Sequence, residues 1–193
     1  ARDQTPLEEW RTMSDIVTIF KQFDFLSMVW LFFIAFVIHE VEEWNITDFE
    51  LRNFVGVPAT VTRKNARMWI GIICGVSLVW CAAATWPGNP ALAAYVFLPA
   101  VALALGNALQ HVFWTFYFRQ YAPGVISAVV LLIPLGGTLA ARAVQQGYAP
   151  PGYAAVLVVL MIVSLVHTVR AGNEMTPPIR GIYSLGNWLA EKL

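Results

Sequence analysis

The sequence predicts an all-α polytopic membrane protein, a five-helix transmembrane bundle led by an N-terminal amphipathic helix that lies on the membrane surface. Three observations carry that prediction. Of the 193 residues 58% are hydrophobic and only 12% are charged, about half the charged share of a soluble domain. Five apolar stretches are each long enough to cross a bilayer as helix, which takes about 20 residues. Ahead of the first stretch, the pattern is amphipathic instead of uniformly apolar. The formal charge is zero and no basic or acidic block occurs, so no nucleic-acid or polyanionic partner is expected.

Residues 1–24 form the surface helix. Thr5-Pro6-Leu7-Glu8 has the form of a capping box with proline at the first helical position. Leu7, Trp10, Ile16, Val17, Phe20 and Phe23 then recur near helical spacing, opposite Glu8, Glu9, Arg11 and Asp15. This polar start lacks the apolar core of a signal peptide, so insertion is expected to rest on the internal segments.

The transmembrane domain, 25–170, has spans near 25–44, 68–86, 91–118, 122–141 and 151–170. The third exceeds one crossing, which leaves three expectations: tilt, a kink at Pro99, or emergence from the bilayer before its end. Cys74 and Cys81 sit two helical turns apart, about 10 Å, too far for a disulfide. "YAPG" at 121–124 and "YAPPG" at 148–152 set prolines near helix starts, where the missing N–H costs nothing. Trp86 and the tyrosines at 148 and 153 suit the headgroup belts. In the tail, 171–193, Ile182, Leu185, Trp188 and Leu189 follow the Thr176-Pro177-Pro178 break as a short interfacial helix.

Orientation follows from the basic residues. Arg2, Arg11, Lys21 and Arg142 fall on one side and the other eight on the opposite side, four of those in the 45–67 loop. The second side is therefore expected to be cytoplasmic, as in a bacterial inner membrane, with the N-terminus out and the C-terminus in.

The polar residues converge in the cytoplasmic half. The three histidines, His39, His111 and His167, occupy the odd-numbered spans at depths that agree within about one helical turn. Glu42 and Glu43 lie three and four residues after His39 and can share its face, whereas Glu40 points elsewhere, toward the headgroups. Asn107 and Thr115 stand four residues either side of His111. A lone histidine in an apolar helix is more often a packing residue than a ligand. Three at one depth, beside carboxylates with no cation among the spans at that level, point to a divalent metal such as zinc, iron or manganese. His39, Glu43, His111 and His167 are the expected ligands, Glu42 the general base or a second-metal ligand, and Asn107 and Thr115 their supports.

The residues "HEVEEW" at 39–44, "NALQH" at 107–111 and the later "YAPG" occur in that order within hydrophobic spans. In this the chain resembles the membrane family named for its HXXEE motif, over roughly 25–170. The family is largely uncharacterised, so the resemblance implies that His39, Glu42, Glu43, Asn107 and His111 act as a set, without implying a reaction.

The expected function is a membrane-embedded metalloenzyme acting on a lipid-like or apolar substrate near the cytoplasmic leaflet, by metal-activated hydrolysis first and iron-dependent oxygen chemistry second. A di-iron centre would need Glu40 or Glu174 as additional ligands. Three other readings compete. One is a metal-free acid-base enzyme of isoprenoid type, with Trp30, Phe113 and Trp114 stabilising positive charge. The others are a proton or ion transporter, and a haem-binding subunit of a membrane complex. Membrane lipids are the expected surroundings, and oligomerisation is left open.

Overall fold

The computed structural model describes residues 23–192, so the expected surface helix over 1–24 lies almost wholly outside the described residues. Helix α1 spans Phe25–Glu42, a 3-10 turn covers Glu43–Asn45, and the short α2 spans Ile46–Asn53. Then follow α3 (Arg63–Thr85), α4 (Pro90–Phe118), α5 (Val125–Gln145), α6 (Pro151–Ala171) and α7 (Pro177–Lys192). Five segments, α1 with its extension to Asn53 and α3 to α6, are long and apolar enough to cross a membrane. The chain is thus an all-α protein with the composition of an integral membrane bundle.

Local chemistry sets the helix starts. The Asp24 carboxylate accepts the Ser27 N–H at 2.7 Å, and that bond holds its carboxyl below the usual range. Thr62 caps α3 through the Asn65 N–H, and Asn89 caps α4 with Pro90 behind it. A bidentate Arg63–Asp48 pair ties α2 to the start of α3.

Two prolines fall inside spans, and each is accommodated differently. α4 stays helical through Pro99 for 29 residues, about 43 Å against a hydrocarbon thickness of about 30 Å. Because Pro99 has no N–H, the Tyr95 carbonyl four residues earlier is left without its helical donor. The Tyr153 hydroxyl of α6 donates to it at 2.8 Å. In α5 a π-turn over Ala128–Leu132 precedes Pro134 and absorbs the irregularity. Replacing Tyr153 by Phe should cost about 1 kcal/mol in wild type and close to nothing on a Pro99→Ala background. In that background residue 99 supplies the donor itself, and thermal unfolding of the four proteins reads the difference.

The main core joins α1, α4 and α5 around Met28, Phe32, Phe97, Val101 and Leu132. Alanines at 93, 94, 104 and 108 of α4 are buried and let its neighbours approach closely. Gly136 of α5 does the same, since a Cβ there would lie 2.9 Å from both Leu105 and Phe32. Helix α6 is outermost and turns Val158, Val159, Leu160, Ile162 and Val163 outward. Past the core, a second aromatic layer of Phe49, Phe54 and Trp114 packs with Ala122. The polar site lies between the two layers.

Candidate metal centre

The last turn of α1 carries the site. His39 is fully buried and His111 nearly so, and Glu43, four residues after His39, is 7% exposed. Glu43 Oε1 lies 2.9 Å from His39 Nε2 and 2.9 Å from His111 Nε2. The two rings stand nearly perpendicular at 5.1 Å, and Trp114 flanks His111 at 5.3 Å. One ligand atom from each residue falls within 4.8 Å of the other two.

The hydrogen bonds fix what those atoms are. His39 Nδ1 is 3.0 Å from the Gly124 carbonyl and 3.0 Å from Ser127 Oγ. A carbonyl only accepts, so Nδ1 carries the proton, and in the neutral ring Nε2 then presents a lone pair. That lone pair faces the Glu43 oxygen, another acceptor. A proton on His39 Nε2 could join them, but neither imidazole contact to Glu43 meets hydrogen-bond geometry. Ligands about 2.0–2.1 Å from a tetrahedral zinc ion stand about 3.3 Å apart, so the donor set suits a cation, and its 2.9 Å contacts would open by a few tenths of an ångström around zinc. A carbonyl holding the outer nitrogen of a ligating histidine is the usual support of such a ligand.

The motif and the "YAPG" loop lock together. Glu42 Oε1 accepts from the Tyr121 hydroxyl at 2.6 Å and the Ile126 N–H at 3.1 Å, and Oε2 accepts the Ser127 N–H at 2.8 Å. Glu42 thereby caps the start of α5 from another helix, where free N–H groups and the helix dipole favour an anion. Burial, with the Glu42 carboxylate as its acceptor, pushes the Tyr121 phenol up to about 12, so it stays a donor at physiological pH. Thr115 Oγ1 donates to the His111 carbonyl at 2.8 Å and accepts the Ala122 N–H at 3.4 Å, so it supports the loop more than the imidazole.

Two expectations are corrected here. His167 does not join the centre: it is exposed on α6, while its neighbour Thr168 is buried and accepts from Gln110 Nε2 at 2.7 Å. Gln110 and Thr168 adjoin His111 and His167, so the two helices meet at that level, but the His167 side chain turns outward. Glu42 is corrected as a free base or second-metal ligand, because both its oxygens are taken by the loop.

Glu40 is also corrected, since it is 4% exposed and reaches no headgroup layer. It faces the interior toward α3 and α4, where it lines two adjoining cavities. Asn107 lines both as well, with its Oδ1 unpartnered among the described residues. Trp30 is part-exposed and lies outside these cavities, and Glu174 is exposed in a bridge with Val55.

Two residues were missed. Glu50 is buried and accepts the Tyr183 hydroxyl at 2.5 Å, and burial beside that carboxyl raises the Tyr183 phenol. Its signal was the spacing Glu43, Thr47, Glu50, one helix face carried past Trp44. Gly124 was noted only within a helix-start motif. Its φ is +96°, and a Cβ there would lie 2.9 Å from His39 Cε1 and 3.1 Å from Glu43 Oε1.

Fold and site together define a polytopic α-helical membrane protein with a buried His-Glu-His cluster at the end of its first span. Residues 30–139 match the family described as proteins of unknown function with an HXXEE motif. The chain belongs to that family, and within it His39, Glu42 and Glu43 are the motif's defining residues. Searches among curated proteins and among solved structures return no match.

Proposed function

We propose that the protein is a metal-dependent enzyme of the membrane, working on a lipid-like or apolar substrate near the cytoplasmic leaflet with its N-terminus outside. The observation that carries this reading is the shared Glu43 oxygen, held 2.9 Å from two imidazole nitrogens that do not hydrogen-bond to it. Two histidines and one carboxylate are three protein ligands, the number that leaves a divalent ion an open position. His39, Glu43 and His111 would hold the ion, which would supply Lewis-acid activation of water near neutral pH, and hydrolysis is the leading reaction class.

The chain's own residues do the rest. Gly124 and Ser127 hold His39 in the tautomer that ligates, Trp114 fixes the His111 ring, and the layer of Phe49 and Phe54 limits access of bulk water. Beside the trio lies an apolar cavity of about 400 Å³ lined by Phe33, Phe36, Trp80 and Leu103, within the size range of small-molecule sites. The same ligand set also suits iron(II) and oxygen chemistry on an apolar chain, a reading favoured by that cavity.

Elemental analysis of protein purified without added chelator tests the proposal. One zinc or iron per chain is expected, removed by dialysis against a strong chelator and restored by the same ion alone. Protein that carries no stoichiometric metal and takes none up would end this reading.

A further inference from the structure

The apolar cavity does not stand alone. A second cavity of about 140 Å³ adjoins it and is lined by Glu43, Glu50 and His111. Glu40, Trp69, Ile73 and Asn107 line both, so they form the wall the two spaces share. The larger space is bordered by Val76 of α3 and Leu103 of α4, both more than half exposed, so its rim reaches the outer face of the bundle. In a bilayer that face meets acyl chains. The pair of cavities therefore runs from the hydrocarbon side to the His-Glu-His cluster, apolar first and polar last.

The polar wall specifies the head of whatever enters. Glu40 is 96% buried and makes no hydrogen bond to a described residue, and the Asn107 Oδ1 atom is buried and likewise unpartnered. Both offer acceptor lone pairs, the carboxyl group in either protonation state. The Trp69 indole N–H does not add a donor to this wall: it lies against Gly186 of α7 beside Asn65 Oδ1, and neither of those residues lines a cavity. Buried polar groups left unpaired are costly, so a ligand that completes them is selected over one that does not. No lysine or arginine lines either cavity, while three glutamates do. A phosphate or carboxylate head would add negative charge there without a basic partner.

We propose that the substrate is a single-chain amphiphile with an uncharged head that donates hydrogen bonds, a long-chain alcohol or primary amide. Its chain occupies the larger cavity and its head meets Glu40 and Asn107 beside the candidate metal site. What becomes of the head rests on the metalloenzyme reading, but binding of the chain does not.

Brominated chains quench tryptophan on contact, and Trp69 and Trp80 line the larger cavity. The purified protein in detergent is titrated at pH 8.5 with 11-bromoundecanol, 11-bromoundecanamide, methyl 11-bromoundecanoate and 11-bromoundecanoate. The alcohol and the amide are expected to quench at concentrations at least tenfold lower than the ester, which only accepts, and the anionic carboxylate. Excess dodecanol should relieve that quenching. Glu40→Leu should weaken the alcohol about fivefold or more, with Glu40→Gln, which keeps an acceptor oxygen, close to wild type. Ala104→Phe should fill the cavity and remove the saturable component, and the dodecanol competition in wild type stands independently if that variant does not fold.

Equal quenching by the ester or the carboxylate, or quenching that dodecanol cannot relieve, overturns the proposal. The titration is repeated on chelator-treated protein, where saturable alcohol quenching is expected to persist. Saturable alcohol quenching in a protein that binds no metal would leave this inference standing and remove only the enzyme reading. Metal without selective quenching would do the reverse.

Discussion

His39→Ala and His111→Ala are each expected to retain less than about a tenth of the wild-type metal after gel filtration, whereas His167→Ala keeps all of it. The contrast follows from where the structure puts three residues that the sequence makes equivalent. His39 and His111 both reach the Glu43 oxygen at 2.9 Å, while His167 is exposed on α6. Losing a group that only orients a ligand already lowers metal affinity about 10–100-fold, and losing the ligand itself does more. Glu43→Gln keeps the shape and removes the charge, so it should fall with the two histidines. Ser127→Ala belongs to the intermediate class, because Gly124 still holds His39 Nδ1. Inductively coupled plasma measurement on the five variants, with circular dichroism to confirm helix content, reads the outcome. Metal retained by His39→Ala, or lost by His167→Ala, would contradict the three-ligand centre.

The contrast also shows how far hydropathy and spacing carry. Span order and helix type follow from counting residues at about 1.5 Å each, and the structure keeps both. Which way a side chain turns around its helix is a different matter. On a helix that is apolar all round, no polar face marks the inside. α6 is such a helix, and its packing partner had to be known before His167 could be turned outward and Thr168 inward. Glu40 failed for the opposite reason. It does point off the His39 face, but that direction leads to α3 and α4 and not to the headgroups. Glu42 was read as chemistry because a carboxylate in a membrane invites it, yet its oxygens satisfy N–H groups of α5, 84 and 85 residues away. No local pattern foretells a helix cap supplied from so far along the chain.

The site's tightest contact is made by a residue with no side chain, and it sets the second large expectation. Gly124→Ala should lower stability by about 2–4 kcal/mol and reduce metal content at the same time. Two effects add. At φ +96° an L side chain is strained, a cost of about 1–2 kcal/mol for left-handed backbone. The new methyl would also sit 2.9 Å from His39 Cε1 and 3.1 Å from Glu43 Cγ and Oε1, closer than van der Waals contact allows. Both side chains are buried, and His39 is held from behind by the Gly124 carbonyl itself, so it cannot retreat without breaking the bond that points it inward. Gly137→Ala is the matched control. It lies in α5, nothing stands within 4 Å of its would-be Cβ, and its backbone is helical. That substitution should be neutral or stabilising by about 0.5–1 kcal/mol, since alanine loses less conformational entropy than glycine on becoming helical. Thermal unfolding and metal analysis of the two variants separate a general intolerance of substitution in α5 from a specific one at the loop. A Gly124→Ala protein that melts with wild type and holds its ion would mean the loop merely passes near the cluster. The opposite result would make Gly124 a wall of the site, explaining why the glycine and the HXXEE residues form one structural unit across 85 residues of chain.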